Sequence, residues 1–100
     1  MFITVTTATY IQEYKIEFQF SDGKTGIVDL SSSLTGPVFQ SLQDMTLFCD
    51  FSIDPDLETI VWSNGADLAP EYLYFQAFKN DISLREQFIR WGYLSSKKNR

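Results

Sequence analysis

Histidine is absent from the 100 residues, cysteine occurs once, at Cys49, and Lys and Arg together number eight against thirteen Asp and Glu. Without imidazoles there is no histidine-based catalytic triad and no imidazole metal ligand, and one thiol makes neither an internal disulfide nor a multi-cysteine zinc site. The net charge of −5 and pI near 4.4 argue against sequence-blind binding along a phosphate backbone, which needs many cations on one face. Long apolar runs are missing too: Tyr72-Leu73-Tyr74-Phe75 is among the densest, far short of the ~20 residues of a bilayer span. The opening six residues, Met1 to Thr6, have neither the basic flank nor the small-residue cleavage site of a signal peptide, so the expected compartment is the cytoplasm, which an unpaired Cys49 suits. What the chain does have is aromatic side chains, nine Phe, five Tyr and two Trp within 44% hydrophobic residues. These suffice for one core in one domain without metals or disulfides. Cys49 is expected half-buried beside Phe48 and Phe51.

Thr, Val, Ile and Tyr between Phe2 and Ile11 suit an edge strand. From Tyr14 to Phe20 apolar and polar residues alternate, the period of two of a strand with one face on the core. Ser21-Asp22-Gly23-Lys24 is an Asp-Gly turn, returning as a strand over Thr25 to Leu30. Pro37 opens a short helix carrying Val38, Phe39 and Leu42 on one side, ending before Leu47. Phe48 to Ile53 and Glu58 to Trp62 flank the turn Asp54-Pro55-Asp56 as a second hairpin. Pro70 begins a helix into the mid-seventies, with Glu71 offsetting its dipole. Ser83-Leu84-Arg85-Glu86 reads as a capping box for a last helix, striped by Leu84, Phe88 and Trp91 and stopped by Gly92. The two halves share an outline of hairpin, Asp-Leu pair, Pro and short helix, with slight residue identity. The expected class is α+β: a mostly antiparallel sheet of five strands, formed by two β-hairpins plus an N-terminal strand, with two short helices and a C-terminal amphipathic helix. Residues 1–78 form the core domain; residues 79–100 add the helix and a basic tail, packed on it or projecting from it.

Chemistry is sparse. Asp50, Asp54, Asp56 and Glu58 are the densest acids, but they lack calcium-loop spacing, and Pro55 interrupts them. No nucleophile and base pattern, phosphate-cradling loop or dinucleotide fingerprint appears. The expectation is a protein with no enzyme activity, no cofactor and no metal. Two surfaces are candidates for partner binding. One is the strand-to-helix loop from Trp62 through Asn64 and Asp67 to Glu71, which holds polar groups on a rigid base beside a helix start; each residue also has a local structural reason to be there. The other is the last helix, with Arg85, Arg90 and Trp91, residue types favoured at interface hot spots; its stripe equally suits packing on the sheet. Charge is lopsided: residues 1–78 sum to −9, whereas residues 79–100 sum to +4. Lys97, Lys98 and Arg100 are therefore candidate nucleic-acid contacts, though a solvated tail has the same composition. The edge from Phe2 to Tyr10 offers a route to pairing with a second chain, and hence to a homodimer.

The segment Tyr14 to Phe20 with Ser21-Asp22-Gly23, then Val28-Asp29-Leu30, Phe39 and Leu42, and above all Val61-Trp62-Ser63-Asn64-Gly65-Ala66-Asp67-Leu68-Ala69-Pro70-Glu71-Tyr72-Leu73, resembles the bacterial family catalogued as domain of unknown function 2442. The resemblance covers about residues 10–75. It implies a small α+β domain, found alone or joined to a helix-turn-helix and often encoded beside small proteins in toxin–antitoxin-like gene pairs, with no established catalytic residues. The extension from Phe78 onward departs from the family pattern. The function expected from residues and resemblance together is a non-enzymatic protein-interaction module, antitoxin-like, meeting the product of a neighbouring gene. The alternative is a DNA-associated transcriptional regulator using the basic C-terminal segment.

Overall fold

A computed structural model describes residues 2–95. Strand β1 (Val5–Gln12) pairs antiparallel with β2 (Lys15–Phe20), and β2 pairs antiparallel with β3 (Thr25–Asp29), so β2 is central and β1 is an edge. The alternation in β2 decides which face is covered: Ile16, Phe18 and Phe20 are buried, while Gln19 between the last two is exposed. Asp22 and Gly23 close the β2–β3 turn, with Gly23 at φ +88° and the Asp22 carboxylate accepting from the Lys24 amide at 3.0 Å. The β1–β2 connection is also a tight turn, through Glu13 at φ +51° and Tyr14, so the N-terminal strand forms a hairpin of its own.

The remaining two strands, β4 (Phe51–Asp54) and β5 (Thr59–Trp62), form a separate antiparallel sheet, so the five strands divide three and two. One backbone bond, from the Val5 amide to the Glu58 carbonyl at 2.9 Å, ties this hairpin to the start of β1. Its turn is built by Asp54, whose Oδ1 accepts from the amides of Asp56 and Leu57 at 2.8 and 3.0 Å. Asp54 thus has a structural use in the turn, and among the described residues no group of three acidic or Cys side chains converges as for a metal.

Between the sheets the chain runs through α1 (Pro37–Gln40), a 3-10 turn, and α2 (Met45–Phe48). Helix α2 begins on Asp44, whose side chain accepts from the Thr46 amide at 2.9 Å. Phe48 thus ends a helix and does not begin a strand, and Cys49, which follows it, is exposed and not half-buried. Of the three residues expected to share α1's inner side, Leu42 is buried, Phe39 is half-buried and Val38 faces water.

Helix α3 (Pro70–Phe78) starts at its proline and lies along β3, so close that Gly26 faces Ala77 without room for a side chain. The Tyr74 hydroxyl donates to Asp22 Oδ2 at 2.8 Å, pinning the helix to the β2–β3 turn. Helix α4 (Arg85–Trp91) follows a 3-10 turn, Ile82–Leu84. The cap is Asp81, which accepts from the amide and hydroxyl of Ser83 at 3.0 and 2.7 Å, in place of the capping box expected from Ser83 and Glu86. Gly92, at φ +89°, stops the helix, with the Tyr93 amide turning back to the Phe88 carbonyl at 2.9 Å. No helix among the described residues is long and apolar enough to cross a membrane.

Candidate functional site

The loop from Trp62 to Glu71 is held from beneath. Trp62 is 3% exposed, and its indole N–H donates to the Phe48 carbonyl at 2.8 Å, while its ring packs on Phe48 and Phe51. Burial of an indole requires such an acceptor, and the end of α2 supplies it. Trp62 is therefore corrected from a partner contact to a core residue that positions the loop. Asn64 is exposed, yet its amide is committed: Nδ2 donates to the Val38 carbonyl and Ser41 Oγ at 3.0 and 2.8 Å, and Oδ1 accepts from the Ala66 amide at 3.0 Å. The side chain staples the loop to α1. Asp67 forms an isolated bridge with Val61, and the buried Thr59 hydroxyl donates to the Leu68 carbonyl at 2.6 Å. The loop is rigid, and its polar groups serve mostly to make it so.

The residues that remain at the surface gather along the side of α3, from its first turn to its middle. Tyr72, Phe75, Trp91 and Tyr93 are each half-buried along the line where α4 meets α3. Phe75 stacks on Tyr93 with ring centroids 5.0 Å apart and planes 11° from parallel; Tyr72 and Trp91 approach Tyr93 at 6.4 and 6.5 Å. The Tyr72 hydroxyl shares a hydrogen bond of 2.7 Å with Ser33 Oγ. Glu71 belongs to this group: the Tyr93 phenol is raised above its ordinary value by burial first and by the Glu71 carboxylate second. Arg90 is next in sequence to Trp91 and exposed, 3.9 Å from Glu86 one turn earlier. Arg85 lines a shallow hollow with Lys79, Asn80, Asp81, Ile82 and Leu94, about 240 Å³ with open solvent included, too small and open for the clefts that hold small molecules.

The seven residues expected to meet a partner thus divide. Trp62 and Asn64 belong to the joint with α1 and α2; Glu71 and Trp91 share the aromatic seam; Arg85 and Arg90 are exposed on α4; and Asp67 is exposed on the loop. The expected nucleic-acid contacts Lys97, Lys98 and Arg100 lie outside the described residues. Sequence reasoning missed Tyr72 and Phe75, whose signal was an aromatic helix face wider than a core stripe requires, and Tyr93, which lies beyond the Gly92 cap and had no periodic signal. It also missed Ile82, 87% exposed at the rim of the hollow, and Ile27, 51% exposed on β3.

No curated protein and no solved structure matches the chain. A family model described as a protein of unknown function (DUF2442) matches residues 5–79, from the first residue of β1 to the residue after α3, leaving α4 outside the shared part. The chain belongs to this family, as the block around Trp62 implied.

Proposed function

We propose that this chain is a non-enzymatic protein-interaction module, the antitoxin-like member of a two-protein system in the bacterial cytoplasm, and that it meets its partner at the seam between α3 and α4. The observation that supports this reading is the run of four half-exposed rings, Tyr72, Phe75, Trp91 and Tyr93, with Glu71 among them. Tyr, Trp and Arg concentrate at the energetic centres of protein interfaces, where flat rings give large contact area at small entropic cost. Stacking of Phe75 on Tyr93 fixes that surface before a partner arrives, which lowers the ordering cost of binding.

The test is native mass spectrometry of the chain with the product of the neighbouring gene. A one-to-one complex at micromolar concentration is expected, weakened at least tenfold by Tyr93→Ala and by Arg90→Glu, the latter a solvent-facing change. Failure to form a complex, or a complex indifferent to both substitutions, overturns the reading.

A further inference from the structure

Five Lys and Arg side chains lie among the described residues. Lys15 pairs with Glu13 and Arg90 with Glu86, both at 3.9 Å, whereas Lys24, Lys79 and Arg85 form no ion pair among the described residues. Those three share one corner. Lys79 and Arg85 line the hollow where α3 passes to α4, and Lys24 lies beside it, its Nζ 5.8 Å from the centre of the Phe78 ring. The Asp81 carboxylate is also in the wall, but it is committed to the Ser83 amide and hydroxyl. Ile82 and Leu94 give the hollow an apolar side, with Ile82 almost wholly exposed. An apolar surface among unpaired cations suits an apolar side chain flanked by acids.

The chain carries such a group. The β4–β5 turn presents Asp56, Leu57 and Glu58, all exposed, and neither acid has an ion pair among the described residues. The turn is rigid. Besides the bonds to Asp54 Oδ1, the Glu58 amide donates to the Asp54 carbonyl at 2.7 Å, and Glu58 takes φ +58°, a conformation in which glycine is the ordinary residue. Turn and hollow lie at the same end of the molecule: Val5, bonded to the Glu58 carbonyl, opposes Phe20 on β2, and the Phe20 ring meets that of Phe78 at 5.8 Å, next to Lys79.

We infer that a second copy of this chain docks at this corner, each copy laying Leu57 into the other's hollow with Asp56 and Glu58 against Lys79 and Arg85. Because both features sit at one end, a two-fold axis between the copies closes both contacts at once, giving a dimer with no open end. Burial of Leu57 supplies attraction, while the exposed ion pairs fix the register more than the strength. None of the four rings of the α3–α4 seam lines the hollow, so this inference stands apart from the interaction reading, and a dimer carries two such seams.

The test is sedimentation equilibrium of the full-length chain at rising concentration. A monomer–dimer equilibrium is expected, with its Kd raised at least tenfold by Lys79→Glu with Arg85→Glu, and likewise by Asp56→Lys with Glu58→Lys. Mixing those two variants is expected to restore the dimer, because each turn then meets a hollow of opposite charge. Leu57→Ser, a solvent-facing change that leaves the backbone bonds of the turn in place, should weaken the wild-type dimer similarly. A chain that stays monomeric at submillimolar concentration leaves the hollow to some other occupant and overturns the inference. So do open-ended assemblies beyond the dimer, a dimer indifferent to these substitutions, and a mixture of the charge variants that stays monomeric.

Discussion

Gly26→Ala tests how α3 is seated, and with it the position of the whole aromatic seam. Gly26 lies on β3, and a Cβ built there stands 2.8 Å from the Cβ of Ala77 and 3.2 Å from Cζ of Phe78. Carbon atoms settle at roughly 3.5–4.0 Å, so the pair must separate by about 1 Å. The Ala77 methyl cannot rotate away, because its position is fixed by the helix backbone; the helix itself must move. That movement is opposed by the bonds from Tyr74 to Asp22 and from Tyr72 to Ser33. Overpacking of this kind costs about 1–3 kcal/mol, while replacing a strand glycine returns about 0.5–1 kcal/mol of chain entropy. Taking the middle of each range, the net loss is about 1 kcal/mol, or a fall in Tm of about 4–8 °C for a domain of this size. Thermal and urea unfolding followed by circular dichroism measure it. Ala77→Gly, which costs about 1 kcal/mol alone for its helix propensity, should cost little in the Gly26→Ala background, because it removes the colliding methyl. A Tm for Gly26→Ala equal to or above wild type, or additive behaviour of the pair, refutes the reasoning.

Tyr74→Phe removes a partly shielded hydrogen bond to Asp22 and is expected to destabilise by about 1 kcal/mol, measured by urea unfolding at neutral pH. Burial first and the Asp22 carboxylate second raise the Tyr74 phenol well above the ordinary tyrosine value. The linked stability is therefore complete below the unfolded pKa and is lost as pH climbs above it toward the folded one; Tyr74→Phe should flatten the alkaline limb of a stability–pH curve recorded between pH 8 and 12. Asn64→Ala severs three bonds of the loop to itself and to α1 and is expected to cost about 1–2 kcal/mol, with faster amide exchange at Ala66 as its local signature; unchanged protection there counts against the staple.

The readable parts of the fold were those where one residue type carries its own geometry. Alternation placed β2, Asp22 with Gly23 made the hairpin, Pro70 opened α3, and Gly92 closed α4. The turn at Glu13 was invisible because a positive φ on a glutamate is imposed by the sheet around it and has no local signal. Helix α2 is a single turn defined by its Asp44 cap, too short to develop a period, and Phe48 was consequently misassigned to a strand. The division of strands into two sheets depends on long-range contacts such as Val5 to Glu58, which no window of sequence contains. At the candidate site, Trp62 and Trp91 were both visible as large aromatics. What separated them was the Phe48 carbonyl, which draws the Trp62 indole inward and has no counterpart for Trp91 among the described residues.

That separation gives the molecule two built-in optical reporters in unlike surroundings. Trp62, sealed within the β4–β5 side, should emit toward the blue and resist collisional quenchers, while Trp91, at the margin of α4, should emit further to the red and yield to them. Spectra of the two single-tryptophan forms would let an observer follow the surroundings of the C-terminal helix and of the β4–β5 side separately, with no label attached.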